Sequence, residues 1–370
     1  MRATFVLSKD PSHESTGDLT MAKLVMEMAR ESYDIGVICL SQWPQSTEGG
    51  FRRVPKTAPR ARQLLLDSVR SRRSLVHTRF DLDELVEAVD DTDSDIFVAD
   101  HCYMAESVLR SRRSRQSGGT SILAVSTVVP EALVWRATRG LAGHLDARRI
   151  VRDEVRVARS AFSVGTYDEP EAEFFRDLGV QRAHWLDLTL APVDRVAVEE
   201  SERRLVFLGD RRWAPNQEAF ETLVRRWPRI SEGIDGARLF VVGARDPEAR
   251  PVELPDGMED LGFVDDLTAF LASCRALVAP IRTGGGVRVK ILDAACRGLP
   301  VVGTSAAVGS LSGVLGIDRL DEEQAFIDRC RHYLLDRSAA VADGGALYDV
   351  NAQRWKQGKP QEAVQEWLKR

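Results

Sequence analysis

Short runs of apolar residues recur along the first half of the chain, and amphipathic segments separate them. An uninterrupted apolar run is typical of a buried strand, whereas apolar residues spaced three and four apart are typical of a helix that packs by one face. The runs that predict strands are residues 3–7, 35–40, 96–99, 122–125 and 161–164. The segments that predict helices are residues 19–29, 60–70, 82–89, 148–159 and 170–177. This alternation predicts an α/β domain with a parallel sheet, in which residues 51–59 are expected to be irregular.

A second α/β series follows a polar, acidic segment, residues 191–202, which we interpret as a linker. The apolar runs that predict its strands are residues 205–208, 238–242, 258–263 and 276–280, with a last strand that begins at Val301. The segments that predict its helices are residues 217–226, 267–274 and 322–335, and a final amphipathic segment at 347–368. The second series repeats the topology of the first without repeating its sequence. The chain therefore predicts two domains built on one mononucleotide-binding plan.

Three consecutive glycines, Gly284, Gly285 and Gly286, follow the apolar run at 276–280 and precede a predicted helix that ends at Gly298. Glycines at a strand-to-helix junction let the backbone approach a ligand closely, and the helix start offers free N–H groups and a positive dipole end to an anion. The arrangement predicts a phosphate-binding turn. The glycines match neither the P-loop pattern nor the dinucleotide-binding fingerprint, and a tight turn without a ligand is the alternative.

Charged residues that follow the glycines sharpen this prediction. Arg288 and Lys290 place two cations in the first turn of the helix, where they oppose its dipole by up to about 1 kcal/mol. An anion bound between them would explain that placement. Asp293 falls about a turn and a half after Arg288, which suits a carboxylate that binds sugar hydroxyls beside a phosphate. The spacing favours a nucleoside diphosphate, with solvated basic residues as the simpler alternative.

Composition narrows the classes of protein. A length of 370 residues predicts two domains of ordinary size, and 44% hydrophobic with 29% charged residues is typical of a soluble globular protein. No apolar stretch reaches the roughly 18 residues of a membrane span, and the first residues lead directly into a strand, so secretion and membrane spanning are not expected. The five cysteines are scattered and never paired as C-x-x-C, which favours reduced thiols in the cytoplasm over a disulfide frame or a zinc site.

The distribution of charge bears on partners. A net charge of −5 argues against general nucleic-acid binding. Two basic clusters, residues 70–73 and 110–115, run against that average, and either could contact anionic lipid headgroups or an anionic acceptor. Solvated helix ends whose arginines complement the helix dipole are the favoured interpretation, and peripheral membrane contact is the less favoured one.

Polar residues that follow the strands of the first domain are candidates for ligand binding, because loops at the carboxyl ends of parallel strands form the binding edge of such sheets. The candidates are His13, Glu14, Gly17 and Asp18 after the first strand, and Asp100 and His101 after the strand at 96–99. The carboxylate and imidazole of the last two could serve acid–base or hydroxyl-binding chemistry. A structural role for His101, capping the next helix, is the alternative.

A series of motifs in the second half occurs in a fixed order between residues 205 and 311. Residues 207–216 resemble the motif FxGxxxxxPN, and residues 237–243 resemble AxLxxVG. Residues 261–266 resemble xGFVxD, residues 280–294 resemble PxxxGGGxRxKxLEA, and residues 300–305 complete the series. In combination these motifs resemble the donor domain of the GT-B retaining glycosyltransferases grouped around family 4, in a subgroup with the GGGxRxK pattern.

The first half resembles the same family more faintly. Residues 95–101, with the following Met104 and Ala105, look like the DxVHxxHxxxA strand whose histidine faces the donor sugar. Residues 126–128 stand where relatives often have His-Asn-Val, and residues 17–18 stand where many have paired glycines. The resemblance gives His101 the role of the sugar-facing histidine.

The resemblance implies an α/β fold of GT-B architecture, with two Rossmann-like domains that face each other across a cleft. An N-terminal Rossmann-like acceptor-side domain would span residues 1–195. A C-terminal Rossmann-like domain that binds the nucleotide sugar would span residues 203–345. Residues 346–370 would form a C-terminal helix that could cross back to the N-terminal domain.

The implied reaction is transfer of a sugar from a nucleoside diphosphate sugar to a hydroxyl of a small-molecule, glycan or lipid-linked acceptor, with retention and without a metal or other cofactor. Lys290 and Arg288 would stabilise the departing diphosphate, and His101 would hold the transferred sugar. The residues implied to bind the donor are Gly17, Asp18, Arg211, Arg212, Trp213, Asn216, Phe263, Val264, Gly284, Gly285, Gly286 and Asp293. Phe263 and Val264 would border the base and Asp293 the ribose. The adjacent acids at 265–266 are expected to cap a helix rather than bind a metal.

The chain departs from the family in its core motif. The E-x7-E pair of the family corresponds here to Gly285 and Asp293, and aspartate reaches one methylene less far than glutamate. Three alternatives therefore stand beside the retaining transferase. They are a GT-B epimerase of nucleotide sugars, an inverting transferase with His13 or Asp100 as base, and a non-catalytic nucleotide-sugar-binding partner of another transferase.

Overall fold

A computed structural model of the chain separates into two compact units. The residues that it describes are 1–116, 121–128, 130–138, 140–286 and 288–370. Unit 1 comprises Met1–Leu188 together with Pro360–Arg370, and unit 2 comprises Thr189–Lys359. The sequence-based division placed its boundaries at 195, 203 and 346. In the structure the first part of unit 1 ends earlier, at Leu188. Of the predicted last segment, 346–370, only Pro360–Arg370 belongs to unit 1.

The sheet of unit 1 is parallel throughout. In the described residues its seven strands are β1 (Arg2–Leu7), β2 (Asp34–Ser41), β3 (Arg52–Pro55), β4 (Ile96–Asp100), β5 (Leu123–Ser126), β6 (Ser163–Thr166) and β7 (Ala183–Trp185). Their spatial order is β3-β2-β1-β4-β5-β6-β7, so the direction of winding reverses between β1 and β4. The central strands are buried on both faces, with Phe5 registered beside Val37 and Val98. Burial on both faces explains why these strands are uninterrupted apolar runs in the sequence.

Helices cover the sheet of unit 1. They are α1 (Gly17–Ala29), α2 (Ala61–Ser71), α3 (Leu75–Arg79), α4 (Asp83–Asp90), α5 (Ala105–Arg110), α6 (Arg112–Gln116), α7 (Glu131–Thr138), α8 (Gly140–Ser160) and α9 (Glu169–Asp177). The predicted helix at 148–159 is the second half of the longer α8. The short α3 has no counterpart among the predicted helices.

The strand β3 corrects the expectation that residues 51–59 are irregular. It pairs in parallel with β2, with Arg53 beside Cys39. Arg53 is buried because its Nε donates to Oδ2 of Asp10 at 2.7 Å, and Ser41 donates to the same oxygen at 2.6 Å. A charged residue is not expected in a buried strand, so Arg53 made this strand hard to predict from the sequence. The carboxylate that compensates its charge comes from a distant loop.

Unit 2 repeats the winding of unit 1 with fewer strands. In the described part of the chain its sheet holds five parallel strands, β8 (Arg204–Leu208), β9 (Arg238–Val242), β10 (Met258–Gly262), β11 (Ala276–Ala279) and β12 (Val301–Gly303). Their order is β10-β9-β8-β11-β12, so the reversal lies between β8 and β11. Its helices are α10 (Ala214–Ser231), α11 (Leu267–Ala272), α12 (Val289–Arg297), α13 (Ser305–Val308), α14 (Leu311–Leu315), α15 (Glu323–Leu335) and α16 (Arg337–Lys356).

The closing amphipathic segment forms two helices, because Gly358 adopts a φ of 70° between α16 and α17 (Lys359–Leu368). In unit 1, the hydroxyl of Tyr33 donates to the carbonyl of Leu368 at 2.9 Å. The ring of Trp367 packs so closely on β6 that a Cβ at Gly165 would lie 2.9 Å from it. The end of the chain is thus part of the packing of unit 1. In the described residues, no helix has the length and apolar character to cross a membrane.

Candidate functional site

The candidate site of unit 2 lies where the strand order of its sheet reverses. β8 and β11 are adjacent although the chain forms two other strands between them. Doubly wound sheets bind ligands at this position, outside the carboxyl ends of the strands. The loop after β8 begins at Gly209, and the loop after β11 carries Gly284, Gly285 and Gly286. Two motifs that are distant in the sequence therefore reach one edge of the sheet.

Close backbone packing positions Asn216 beside this edge. A Cβ on Gly209 would lie 2.8 Å from Cγ of Asn216, and a Cβ on Gly243 would lie 2.2 Å from the carbonyl oxygen of Gly209. Neither glycine has room for a side chain. Asn216 donates from Nδ2 to the carbonyl of Asp210 at 2.9 Å, which leaves its Oδ1 as an acceptor.

Lys290 reaches that acceptor from the first turn of α12. Its Nζ donates to Oδ1 of Asn216 at 2.8 Å and lies 5.0 Å from the centre of the Phe207 ring. Burial lowers the pKa of Lys290 to about 7, because desolvation disfavours the ammonium. The described contacts compensate the charge of the ammonium poorly. A bound anion would favour the protonated, charged form of Lys290.

Arg288 lies immediately before α12, and its side chain turns back toward the glycine turn. Nη1 donates to the carbonyl of Gly286 at 2.7 Å. Gly286 has a φ of 71°, which favours glycine. The guanidinium rests on Gly309, where a Cβ would lie 2.1 Å from Cζ of Arg288. Val287, between the turn and Arg288, lies outside the described residues.

Asp293 is the residue predicted to bind ribose. One of its oxygens accepts from Nε of Arg297 at 3.0 Å, four residues along α12. Arg297 in turn donates to the hydroxyl of Thr268 at 2.7 Å. The carboxylate is one-quarter exposed, with its side chain at 23%. A ribose hydroxyl could donate to its second oxygen without breaking the pair with Arg297.

The two arginines of the loop after β8 differ in accessibility. Arg211 is buried over the ring of Phe220, and its Nη2 lies 2.8 Å from each oxygen of Asp260. Arg212 is exposed, and its Nε donates to an oxygen of Asp210 at 2.9 Å. Arg211 therefore has a structural partner within the fold. Arg212 is the arginine that a ligand can reach from solvent.

The residues predicted to border the nucleotide base follow β10. Phe263 is 81% exposed, and Val264 is half-buried. Trp213, which immediately precedes α10, is also half-buried. The expectation that the adjacent acids cap a helix is confirmed for Asp266, whose Oδ1 accepts from the backbone N–H of Ala269 at 2.9 Å. An exposed phenyl ring beside a polar edge suits stacking on a planar ligand.

A cavity of about 360 Å³ lies at the carboxyl ends of β11 and β12. It is lined by Arg226, Pro280, Ile281, Arg282, Thr304, Ser305, Ala306 and Asp321. The cavity adjoins the glycine turn, since a Cβ on Gly284 would lie 3.4 Å from the carbonyl oxygen of Ala306. Space for a ligand therefore exists beside the turn.

Unit 1 carries its own cluster at the reversal between β1 and β4. Lys9, two residues after β1, donates from Nζ to Oδ2 of Asp18 at 2.7 Å and to the hydroxyl of Thr16 at 3.2 Å. Burial would raise the pKa of Asp18, but the charge of Lys9 and the hydrogen bonds from Lys9 and Thr16 together keep that pKa below its ordinary value. Gly17 is the exposed first residue of α1. The first loop thus presents an ion pair at the sheet edge.

His101 lies at the end of β4 with a φ of 79°, a strained conformation for a residue with a side chain. Its Nδ1 lies 2.9 Å from the carbonyl oxygen of Asp100, and its ring stacks on Tyr103 with centroids 4.8 Å apart. Burial lowers the pKa of His101 to about 4, so the ring is neutral near pH 7. A carbonyl only accepts, so Nδ1 carries the proton and Nε2 is free to accept from a hydroxyl.

The carboxyls around His101 titrate at unusually high pH. Burial, followed by the charge of Asp18, raises the pKa of Asp100 to about 8. The same two causes raise the pKa of Glu131, at the start of α7, to about 7. Near neutral pH this edge combines a neutral imidazole, a protonated carboxyl and one ion pair, so it can bind sugar hydroxyls as both donor and acceptor.

The predicted site residues divide between the two units. The candidates of the first half, His13, Glu14, Gly17, Asp18, Asp100 and His101, lie in unit 1, and the candidates from Arg211 to Asp293 lie in unit 2. Sequence reasoning missed Lys9, Glu131 and Asp260. Lys9 carries a usable signal, because it is a charged residue two positions after the first apolar run. Glu131 acquires its role from burial, and Asp260 acquires its role from the pair with Arg211. In the described residues, no group of three or more His, Cys, Asp and Glu side chains is arranged to hold a metal ion.

Both sheets are doubly wound, and the candidate residues lie at the edges where the strand order of each sheet reverses. Residues 202–336 match the family described as "Glycosyl transferases group 1", so unit 2 carries a domain of that kind. No curated protein matches the chain in sequence.

Solved structures similar in fold include several GT-B glycosyltransferases. WaaG, a glycosyltransferase involved in lipopolysaccharide biosynthesis, is 12% identical, with a TM-score of 0.64 over 100% of each chain. HepE from Anabaena in complex with UDP-glucose is 14% identical, with a TM-score of 0.64 over 100% of this chain and 99% of that one. TarM from S. aureus, in complex with fondaparinux, alpha-GlcNAc-glycerol and UDP, is 10% identical, with a TM-score of 0.58 over 77% of this chain; the chain spans 57% of the length of that TarM structure. The predicted α/β class and GT-B fold are thereby confirmed.

Proposed function

We propose that this protein transfers a sugar from a nucleoside diphosphate sugar to an acceptor hydroxyl. The observation that carries the proposal is Lys290, a half-buried lysine aimed at the sheet edge beside a glycine turn, with its charge compensated only by Oδ1 of Asn216 and the Phe207 ring among its described contacts. The group 1 domain supports it. The HepE structure holds UDP-glucose and the TarM structure holds UDP, which makes a uridine diphosphate sugar the first donor to test.

Catalysis in this proposal is stabilisation of the departing diphosphate. As the bond to the sugar breaks, charge grows on the phosphate oxygens, and Lys290 and Arg288 are placed to meet it together with the N–H groups at the start of α12. A diphosphate would also oppose the desolvation that holds the pKa of Lys290 near 7. The interaction therefore strengthens as negative charge develops, which is the requirement for lowering a barrier.

His101 would hold the transferred sugar rather than move a proton. Its pKa of about 4 keeps it neutral, and Nε2 would accept a hydrogen bond from a sugar hydroxyl. In a retaining, front-face reaction the leaving phosphate takes the acceptor proton, so no protein base is needed. Retention, independence of a metal, the nature of the acceptor and a cytoplasmic location are the finer parts of the proposal.

The test begins with binding. Thermal unfolding of the wild type with UDP, GDP, ADP and their glucose conjugates should give a shift with one base, since a ligand at 100 times its Kd adds about 2.7 kcal/mol of stability. The matching nucleotide sugar is then incubated with acceptors, and released nucleoside diphosphate and the anomeric configuration of the product are measured. Absence of binding by every nucleotide would refute the diphosphate assignment.

A non-catalytic nucleotide-sugar-binding protein is the second candidate. Gly285 stands where the family has a carboxylate, and Asp293 already accepts from Arg297. Binding of a nucleotide sugar without turnover across small-molecule, glycan and lipid-linked acceptors would favour this candidate. Conversion of the donor into a new nucleotide sugar without any acceptor would instead favour the epimerase.

A further inference from the structure

Helix α2 exposes three of its four large apolar side chains, and the fourth, Leu64, is half-buried. Leu65, Leu66 and Val69 are 57%, 52% and 65% exposed, whereas Ser68 is fully buried. A surface helix ordinarily buries its apolar stripe and exposes its polar one. The orientation of α2 is therefore the reverse of what its own sequence favours in water.

Specific hydrogen bonds hold α2 in this orientation. The hydroxyl of Ser68 donates to the carbonyl of Arg73 at 2.6 Å. Nη2 of Arg149, from α8, lies 3.0 Å from both the carbonyl and the hydroxyl oxygen of Ser68. The buried serine is thus satisfied, and the outward leucines are a consequence of an ordered contact.

The first turns of α8 present a second exposed apolar pair. Leu141 and Leu145 are 85% and 78% exposed. Arg148 and Arg152 follow at helical spacing on the same face and are also exposed. Along this face leucines come first and arginines follow, as they do from Leu65 to Arg72.

Contacts between α8 and the end of α2 hold these two helices beside each other in unit 1. Arg149 contacts Ser68, and Arg152 donates to the carbonyl of Arg72. Arg149 also donates to the carbonyl of Arg73, so the contacts join α8 to the end of α2 and to the residues that follow it. We call the combined set the leucine–arginine surface: Leu65, Leu66, Val69, Leu141 and Leu145, with Arg70, Arg72, Arg148 and Arg152.

Of the acids near this surface, Asp146 and Asp153 are buried, whereas the side chain of Asp67 is 43% exposed and stands against four arginines. Asp153 accepts from the backbone N–H of Ser74 at 2.6 Å, and Asp146 accepts from that of Leu75 at 2.8 Å. Asp67 is half-buried and accepts from Gln63 at 2.9 Å, with Arg70 at 3.8 Å. The outward charge of the leucine–arginine surface is therefore positive.

The second basic cluster of the sequence provides a contrast. Arg110 pairs with Asp81 at 2.8 Å, Arg112 with Asp90 at 3.0 Å and Arg113 with Asp93 at 3.1 Å. Each of these arginines has an acid beside it, as Arg70 and Arg152 also do, but exposed leucines do not accompany them in the described residues. Only the cluster at 70–73 combines apolar protrusion with positive charge.

We propose that the leucine–arginine surface docks unit 1 on an anionic lipid bilayer. Protruding leucines would enter the boundary between headgroups and acyl chains, and the flanking arginines would meet anionic headgroups. Aliphatic residues that protrude singly suit a fluid surface, whereas protein interfaces are enriched in aromatic residues that fill pockets. The inference is independent of the proposed sugar transfer. For residues 70–73 the sequence favoured a solvated helix end, and the inference replaces that interpretation with lipid contact.

The test is flotation of the full chain with phosphatidylcholine vesicles and with vesicles of phosphatidylcholine mixed with phosphatidylglycerol. We expect binding to the anionic vesicles that weakens with salt. The triple variant Leu65→Ser, Leu66→Ser, Val69→Ser should bind at least about tenfold less, since several buried apolar side chains are lost. The double variant Arg70→Glu, Arg72→Glu should lose the preference for anionic lipid.

Leu335→Ser is the matched control, because Leu335 is 56% exposed but lies in unit 2. It should bind vesicles as the wild type does, and circular dichroism should show every variant folded. The proposal is overturned if the wild type ignores anionic vesicles, if it binds neutral ones equally, or if the triple variant binds unchanged. A concentration-dependent dimer that the triple variant abolishes would assign the surface to a second copy of the chain and would also overturn it.

Discussion

Each unit has a candidate ligand-binding edge at the carboxyl ends of its strands. The two edges occupy equivalent places in their sheets and differ in charge. Both lie where the strand order reverses, between β1 and β4 in unit 1 and between β8 and β11 in unit 2. The unit 1 edge carries the ion pair of Lys9 and Asp18 together with Asp100 and a neutral His101, whereas the unit 2 edge carries Arg288 and Lys290. The fold determines where a ligand binds, and the loop residues determine which chemical group binds there.

Burial acts on the two edges in opposite directions. It raises the pKa of Asp100 to about 8 and lowers the pKa of Lys290 to about 7. In both cases the charged form is disfavoured. A ligand that favours the charged form at one edge would not do so at the other, so the two edges suit ligands of different charge.

The largest expected effect is at the cationic edge. Lys290→Ala should cost about 2 to 4 kcal/mol of transition-state stabilisation, or roughly 30- to 1,000-fold in turnover, and Arg288→Ala should cost a similar amount. Release of nucleoside diphosphate measures this. Lys356→Ala, at an exposed lysine of the same unit, is the control. Unchanged turnover in both site variants would contradict the assignment.

The pH dependence of nucleotide binding should come from unit 2. The diphosphate binds the protonated lysine, and its pKa is about 7 in the unliganded protein. The Kd should therefore rise by up to about tenfold for each pH unit above pH 7, with uptake of a proton on binding at pH 8. Calorimetry in two buffers of different ionisation enthalpy measures that uptake. Lys290→Ala should abolish it, and proton uptake that survives the substitution would assign the titration elsewhere.

Substitution of Gly309 tests whether donor binding depends on the position of the Arg288 guanidinium. A Cβ there would lie 2.1 Å from Cζ of Arg288, so Gly309→Ala should displace the guanidinium and raise the KM for the donor by about tenfold. Gly313→Ala is the control, because a Cβ at Gly313 meets nothing within 4 Å. Equal kinetics for the two variants would show that the guanidinium is not constrained by Gly309.

The protonated Asp100 at the unit 1 edge should make the free energy of unfolding depend on pH. The pKa of Asp100 is about 8 in the folded state and near 3.8 when unfolded, so between these values the folded state holds an extra proton. The free energy of unfolding of the wild type should then fall as pH rises, by about 1 kcal/mol between pH 6 and pH 7, relative to Asp100→Asn. Urea unfolding at the two pH values measures the difference. Parallel pH profiles would show that Asp100 is ionised in the folded protein.

The smallest effect is expected at Arg212, whose side chain is 62% exposed beside Asp210. Arg212→Ala should change the free energy of unfolding by less than about 0.5 kcal/mol, because solvent screens such pairs. Arg211→Ala should destabilise more strongly, since it leaves the carboxylate of Asp260 without its buried partner. Thermal unfolding of the two variants compares them, and a larger loss at Arg212 would reverse this assignment of roles.

Local signals in the sequence predicted much of the fold. Uninterrupted apolar runs predicted β1, β4 and β11, and the helix that follows the glycine turn ends at Gly298, which has a φ of 72°. The positions of the glycine turn, Lys290 and Arg288 at a strand-to-helix junction followed from the same signals. These features depend on neighbours within a few residues, so spacing alone specifies them.

Long-range contacts decided the rest. β3 escaped prediction because Arg53 needs Asp10, 43 residues away, to be buried. The outward leucines of α2 depend on Ser68 and Arg149, 81 residues apart. Apolar periodicity identifies the face that a helix could bury, and only the assembled fold decides whether it does.

The sequence by itself determined two α/β units and the residue types at their ligand edges. The tertiary structure decided the charge of those residues: a neutral His101, a protonated Asp100 and a Lys290 close to losing its proton. The physical reason is that a pKa depends on desolvation and on charges from other segments of the chain, and both come into being only when the strands and loops are packed.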